Sequence, residues 1–212
     1  MDTVGSHGSN DFGELGYGPR LEQLLAPLHR GFLAVNRWCT VPAIKAGLGP
    51  LFATPLTGSM MVLRTTGRQS GRTRDAPLGY AIHDGAVWCV AGFGRSTHWF
   101  RNIESDPHVQ VILPRGAFSG IAEEVTDREA WLAGFRLVIG SLGIIGRMAV
   151  PGALEASDAF VFERWHTLPV VRIRATGVGG GPSDPGGLAW LPVLAVEAVA
   201  VAGVVHWLRH HR

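Results

Sequence analysis

Two short apolar runs flank the turn His83-Asp84-Gly85 near the middle of the chain. The runs, 78–82 (LGYAI) and 86–91 (AVWCVA), have the length and the aromatic or β-branched content that are typical of strands. An Asp-Gly pair between such runs favours a tight turn, because both residues tolerate a positive φ. The sequence therefore predicts an antiparallel β-hairpin as the basis of the fold.

Other segments fit the same pattern of short elements separated by turn residues. Further strands are predicted at Met61–Leu63, His108–Leu113, Ala117–Val125 and Leu168–Ala175. Helices are predicted at Thr97–Ser105, from Thr126 as the cap toward Ile139, and at Ser157–His166, whereas the glycine-rich residues 140–153 are ambiguous. About six strands, mostly joined by hairpins and flanked by helices, predict a small antiparallel barrel of the α+β class.

The chain has 212 residues, 46% of them hydrophobic, which suffices for one domain with a core and an appendage. Composition divides it into a flexible N-terminal arm (1–19), a barrel domain with a helical lead-in (20–175), a Gly/Pro-rich linker (176–187) and an apolar C-terminal helix (188–212). The arm lacks the basic-then-apolar order of a secretory signal. We therefore expect a cytoplasmic protein.

The C-terminal segment Leu188–Leu208 is apolar apart from Glu197 and His206. A helix of about 21 residues spans roughly 30 Å, the thickness of a bilayer core. The segment is therefore a possible membrane anchor, which would hold the protein at the inner face of the cell membrane. Glu197 would oppose insertion by about 2.5–3.5 kcal/mol. A helix that lies on the membrane, or that packs on the domain or a partner, fits the sequence as well.

The turn at 67–74 (GRQSGRTR) concentrates positive charge after the first strand. Guanidinium groups bind phosphate in a bidentate manner, and glycine lets the backbone approach a ligand and form an anion nest. The turn therefore predicts a binding site for a phosphate-bearing ligand. An ordinary solvated hairpin explains the same residues equally well. The net charge of +2 is mild and forms no basic stripe, so no nucleic-acid partner is expected.

Other chemical signals are sparse. His98 could donate a proton to a reduced acceptor, although a histidine at a helix start is more often simply exposed. Cys39 and Cys89 are far apart and predict two reduced, buried thiols. No group of residues has metal-ligand spacing, so no metal is expected. No catalytic residue can be assigned from these patterns.

Three segments occur in an order that resembles the deazaflavin-dependent nitroreductase family. They are LRTTGRQSGRTRDAPLGYAIHDGAVWCVAGFG, then HWFRNIESDPHVQVIL, then AEEVTD, and the resemblance covers about residues 32–175. It implies a split β-barrel of the FMN-binding type. It also implies an enzyme that passes a hydride from reduced coenzyme F420 to quinones, nitroaromatics or other activated acceptors.

The resemblance also implies which residues bind the cofactor. The family's tail-binding turn maps onto Gly67, Arg68, Ser70, Gly71 and Arg74, with Arg72 assisting. The strand end near the phosphate and ring corresponds to Ala91, Gly92, Phe93 and Gly94. The segment near the ring corresponds to Trp99, Phe100 and Asn102.

Two positions depart from the family pattern. Phe100 replaces the usual tyrosine, and Gly92-Phe93 replaces a polar pair, with Arg95 close enough in sequence to restore a charge. Three functions therefore stay open: an F420-dependent reductase of a lipophilic acceptor, an FMN-dependent oxidoreductase on the same barrel, and a non-catalytic, membrane-associated protein that binds the cofactor or a lipid.

Overall fold

The computed structural model describes residues 40–48, 54–56, 58–114, 116–179 and 191–210. The strands are β1 (Met60–Thr66), β2 (Thr73–Gly79), β3 (Ala81–His83), β4 (Ala86–Val90), β5 (His108–Leu113), β6 (Gly116–Glu124) and β7 (Val170–Gly179). The helices are α1 (Val41–Ala43), which continues as a π-helical turn (Ile44–Leu48), α2 (His98–Ser105), α3 (Arg128–Ser141), α4 (Gly143–Ala149), α5 (Asp158–Trp165) and α6 (Leu191–His210). The predicted arm, the lead-in up to residue 39 and linker residues 180–187 lie outside the described residues.

The described strands form one antiparallel sheet in the order β2-β1-β5-β6-β7-β4-β3. The sheet curls on itself, so that β2 at one end approaches β4 near the other. Strands from both halves contribute to one interior cluster, which α2 also joins; its members include Met61, Leu63, Val87, Cys89, Phe100, Val111 and Ile173. The predicted α+β class and split antiparallel barrel are confirmed.

Helices cover the outer face of the sheet at two places. Helices α3 and α5 pack against β3, β4 and β7, whereas α1 and its π-helical turn cover β1, β5 and β6. In β1, Met61 and Leu63 belong to the interior cluster, and Val62 between them joins Ile44 in the outer cluster. The strand is buried on both faces, which explains why its sequence is an unbroken apolar run.

The predicted hairpin turn is confirmed, but the run 78–82 is not one strand: residues 78 and 79 end β2, and β3 begins at Ala81. Strands β3 and β4 pair antiparallel, with His83 opposite Ala86. Asp84 and Gly85 have φ values of 50° and 68°. Two successive positive φ values are typical of a type I′ turn, whose twist matches that of the flanking strands. Local chemistry therefore determines this part of the fold.

Strand β2 differs from the prediction. It begins at Thr73 rather than near Leu78, and it brings the strand number to seven in the described residues. Arg74, Asp75 and Pro77 conceal it, because charged residues and proline are depleted in strands. Pro77 is tolerated because β2 is the terminal strand of the sheet, where one side of its backbone faces no neighbouring strand.

Three other boundaries also shift. Asp127, rather than Thr126, caps α3, since its carboxylate accepts a hydrogen bond from the Ala130 N–H at 2.9 Å. Helix α4 occupies part of the ambiguous stretch 140–153. Strand β7 runs to Gly179 and pairs with β6, so residues 176–179 belong to the barrel and not to the predicted linker.

Helix α6 lies where the sequence predicts a C-terminal helix. The Glu197 carboxylate accepts a hydrogen bond from the Thr54 hydroxyl at 2.9 Å, which ties α6 to the domain. Val196, Val199 and Val201 on the same helix are exposed. No helix in the described part of the chain is long and apolar enough to cross a membrane, so a span is not found there.

Candidate functional site

The turn between β1 and β2, residues 67–72, is closed by its own backbone. The Gly67 N–H donates to the Arg72 carbonyl at 2.8 Å, and the N–H groups of Ser70 and Gly71 donate to the Gly67 carbonyl at 3.1 and 2.7 Å. The Arg72 N–H donates to Ser70 Oγ at 3.4 Å. Because these N–H groups already have partners inside the turn, the predicted backbone anion nest is wrong. A ligand at this turn would be held by side chains.

Both glycines of the turn serve its shape. Gly71 has a φ of 63°, a conformation that side chains of L-residues rarely adopt. A Cβ on Gly67 would lie 3.0 Å from both the Arg72 carbonyl oxygen and Ser70 Oγ. The two glycines therefore allow this compact turn. Residues 67–74, which carry Arg68, Arg72 and, at the start of β2, Arg74, are called the arginine turn below.

The arginines of this region fall into two groups. Arg68, Arg72 and Arg74 are exposed, and no described carboxylate pairs with any of them. Arg64 instead donates from Nε to Asp75 Oδ1 at 2.8 Å, so its charge is neutralised. Three guanidinium groups at the turn thus remain available to an anionic ligand, which is the donor set that a phosphate or carboxylate needs.

A charged cluster supports the base of the turn. Lys45 Nζ lies 3.0 Å from Asp75 Oδ2, on the carboxylate that Arg64 also binds. Burial acts to raise the pKa of Asp75, but the hydrogen bonds from Arg64 and Lys45 outweigh burial and hold this pKa below its ordinary value. Asp75 therefore stays ionised and fixes the strand directly after Arg74.

Asn102 lies against the turn. Its side-chain Oδ1 accepts a hydrogen bond from the Arg68 N–H at 3.2 Å, and its Nδ2 donates to Thr65 Oγ1 at 3.0 Å. Both Asn102 and Thr65 are buried. The structure thus brings Asn102 and the arginine turn together, through the backbone of Arg68.

The two aromatic residues predicted near the ring are packed inside the barrel. Phe100 is completely buried, and Trp99 is 9% exposed. Their rings meet edge to face with centroids 5.9 Å apart, and both belong to the interior cluster. Both side chains are thus part of the barrel interior, and a contact with a cofactor ring stays a prediction.

The turn Ala91–Gly94 joins β4 to α2. Ala91 is completely buried, and the N–H of Gly94 donates to the Ala91 carbonyl at 2.8 Å. The Gly92 N–H also has a partner, the Val90 carbonyl at 3.0 Å. Gly92 and Phe93 are half-buried, so these two residues are the accessible part of the segment. Their predicted contact with a cofactor stays a prediction.

Two further charged or titratable residues lie beside this segment. Arg95 is hydrogen-bonded to Glu124 and lies 3.6 Å from Glu104, so its charge is neutralised and does not replace the missing polar pair. His98 is exposed at the first residue of α2. Cys89 is not a candidate nucleophile, because its thiol is buried and burial raises its pKa to about 12.

The sequence interpretation missed an apolar strip on β2. Ala76 and Leu78 lie opposite the interior residues Leu63 and Met61, and both pack against the interior cluster, as does Tyr80. Arg74 occupies the same face of the strand, opposite Thr65. The alternation of residues 74, 76, 78 and 80 was the available signal, but it is legible only once β2 is known to start at Thr73.

Several solved structures are distantly similar to the chain. An F420-H2-dependent reductase is 23% identical, with 54% of this chain and 92% of that chain covered, at a TM-score of 0.38. A conserved hypothetical protein from Mycobacterium tuberculosis is 22% identical, with 61% and 79% covered, at 0.42. An FAD-binding protein from Mesorhizobium loti is 18% identical, with 60% and 86% covered, at 0.41.

A family-level match covers the middle of the chain. The sequence model described as F420H(2)-dependent quinone reductase matches residues 43–138. This stretch includes the arginine turn, the Ala91–Gly94 segment and all of α2. The match agrees with the resemblance predicted from the motifs, since residues 43–138 are similar to the F420H(2)-dependent quinone reductase family.

Proposed function

We propose that the protein is an oxidoreductase that uses reduced coenzyme F420 to reduce a lipophilic acceptor, such as a quinone or a nitroaromatic compound. The supporting observation is the set of three exposed guanidinium groups, on Arg68, Arg72 and Arg74, that have no carboxylate partner in the described residues. The cofactor's tail carries a phosphate and carboxylates, whereas FMN carries one phosphate. Several cations on one turn therefore suit coenzyme F420 better.

The roles of the residues follow from their chemistry. Arg68, Arg72 and Arg74, together with the Ser70 hydroxyl, would hold the anionic tail. The bound reduced cofactor supplies the hydride, and the protein supplies binding, orientation and a dry environment. The protein needs no nucleophile for this chemistry.

The apolar strip of β2 suits the other end of the site. Ala76 and Leu78 follow Arg74 on the inner face of the strand, Tyr80 comes directly after its end, and all three are partly buried against the interior cluster. Side chains of this kind exclude water and favour a lipophilic acceptor over a charged one. His98, exposed at the start of α2, is the candidate proton donor for the reduced acceptor.

The test uses the purified full chain, reduced coenzyme F420 and menadione as the acceptor. We expect the cofactor to be oxidised only when the protein is present. The absorbance of the cofactor measures this oxidation. Arg68→Ala should raise the Kd for the cofactor by about tenfold or more, since a charge-assisted contact is lost, and should change the rate at saturation little. The matched control is Arg128→Ala, because Arg128 is exposed and lies over the Phe162 ring, away from the turn.

Each other outcome has a defined meaning. Absence of both binding and oxidation would refute the proposal. Preferential binding of FMN, with turnover, would assign the protein to FMN-dependent oxidoreductases. Binding of coenzyme F420 without turnover across a panel of quinones and nitroaromatics would indicate a non-catalytic binding protein.

A further inference from the structure

A buried amide connects helix α2 to the arginine turn. Asn102 is 4% exposed and Thr65 is 2% exposed. The Asn102 side chain bonds the Arg68 N–H through Oδ1 and Thr65 Oγ1 through Nδ2. Among the described residues, the bond to Arg68 is the one hydrogen bond by which another element reaches the backbone of residues 67–72. One side chain thus links α2, the end of β1 and the turn.

We propose that Asn102 is a positioning residue that sets the affinity of the arginine turn for an anionic ligand, and that it does so through the Arg68 backbone rather than by touching a cofactor ring. Both polar ends of its amide are already engaged with the protein. The amide is also buried, so it offers a ligand little surface.

The charge of the turn explains why such an anchor is needed. Arg68, Arg72 and Arg74 repel one another when no anion is bound, and this repulsion favours a spread or disordered turn. A fixed Arg68 backbone opposes that spreading. The binding site is then preorganised, and the ligand loses less affinity to the ordering of the turn.

Two variants remove the anchor in different ways. Asn102→Leu has a side chain of similar size but makes neither hydrogen bond. Thr65→Val keeps the shape of Thr65 and removes the oxygen that orients the amide. The matched control is Trp131→Phe, which removes a buried hydrogen bond, 3.0 Å long, from Trp131 Nε1 to the Leu168 carbonyl. Both residues belong to the cluster under α3 and α5.

The experiment combines two readouts on the folded, full-length chain. The first is hydrogen exchange of the backbone of residues 67–72 without ligand, which Asn102→Leu should accelerate about tenfold. The second is the titration with coenzyme F420, in which the same variant should raise the Kd about tenfold. The loss should appear in the Kd rather than as a shift of the absorbance band of the bound cofactor, because the inferred contact is with the Arg68 backbone. Trp131→Phe should lower the Tm and change neither readout.

The choice of ligand rests on the proposed function, but the exchange readout does not. If the wild type fails to bind coenzyme F420, the proposed function is wrong, and inorganic pyrophosphate then serves as the anionic probe. Unchanged exchange and unchanged anion affinity in Asn102→Leu would overturn the inference. A shifted absorbance band or a slower maximal rate with unaltered affinity would also overturn it, in favour of a ring contact. Thr65→Val carries the same tests if Asn102→Leu does not fold.

Discussion

Arg64 and Arg74 lie on opposite strands of the same hairpin and have opposite roles. In the β1–β2 register Arg64 lies opposite Asp75, whereas Arg74 lies opposite Thr65. Residues directly opposite in an antiparallel pair have Cβ atoms about 5 Å apart. The register therefore gives Arg64 a carboxylate partner and leaves Arg74 without one among the described residues.

The Asp75 carboxylate predicts how stability depends on pH. Its pKa is lower in the folded chain than the ordinary value of 3.8, because hydrogen bonds from Arg64 and Lys45 outweigh the opposing effect of burial. The ionised form therefore stabilises the folded state above the unfolded pKa, and this contribution is lost as the pH falls through the folded pKa. We expect Asp75→Asn to lower the free energy of unfolding at neutral pH by about 1–3 kcal/mol.

Urea unfolding at a series of pH values, from about 6 down to about 2, measures this effect. The difference between wild type and Asp75→Asn should shrink toward acid. Asp84→Asn is the control, since the Asp84 side chain is 85% exposed and pairs with His83 outside the barrel. A difference between wild type and Asp75→Asn that is independent of pH would contradict the assignment.

The sequence predicted the exposed arginines of the arginine turn better than the residues that hold this turn in place. Arg68, Arg72 and Arg74 are recognisable because the motif is local. The roles of Arg64 and Asn102 are not, because their partners come from other strands or helices and depend on strand register and on the docking of α2. Phe100 likewise lies in a segment expected near the ring but is completely buried.

At the scale of elements, the contact of α3 with the sheet depends on a missing side chain. A Cβ on Gly134 would lie 2.5 Å from the Trp88 ring, whereas a Cβ on Gly140 of the same helix would meet nothing within 4 Å. Gly134→Ala should destabilise the protein by about 1–3 kcal/mol through overpacking. Gly140→Ala should stabilise it by about 0.5–1 kcal/mol, since alanine favours a helix more than glycine does.

The pair of variants is compared by urea unfolding under identical conditions. Opposite signs for the two substitutions are expected. Equal effects would mean that helix propensity, rather than the approach of α3 to Trp88, governs this position.

Elements with a local signature were predicted, and those defined by the rest of the sheet were not. The Asp84-Gly85 hairpin and α2 follow from nearby residues alone. The full length of β2 and the extension of β7 to Gly179 require a partner strand, β1 and β6 respectively. Pro77 and the charges beside it outweighed the strand signal because the edge position of β2 is a property of the whole sheet.

At the scale of the whole molecule, α6 presents apolar residues outward. Val196, Val199 and Val201 are 69%, 73% and 51% exposed, while Glu197 is bonded to Thr54. We expect the full chain to sediment with phospholipid vesicles, since exposed apolar residues on a helix favour a membrane interface. A chain ending at Gly179, which keeps the seven strands that the structure describes, should stay in the supernatant and retain the affinity for coenzyme F420.

The control is the full chain with Val196→Ser, Val199→Ser and Val201→Ser, which should also lose sedimentation. Equal sedimentation of all three proteins would contradict the expected binding of α6 to the membrane. Loss of cofactor affinity in the shortened chain would show that α6 contributes to the site.

The central claim, that the arginine turn grips the anionic tail of coenzyme F420, is tested most directly by a binding titration over a range of salt concentrations. The wild type should bind, with a Kd that rises with salt, because the contacts are between charges near the surface. The variant Arg68→Gln/Arg72→Gln/Arg74→Gln should bind at least about a hundredfold more weakly, with a shallower salt dependence. A control with Arg128→Gln and Arg147→Gln should bind like the wild type, because both arginines are exposed and lie on α3 and α4, outside residues 67–74. Equal affinity and equal salt dependence in the triple variant and the wild type would contradict the claim.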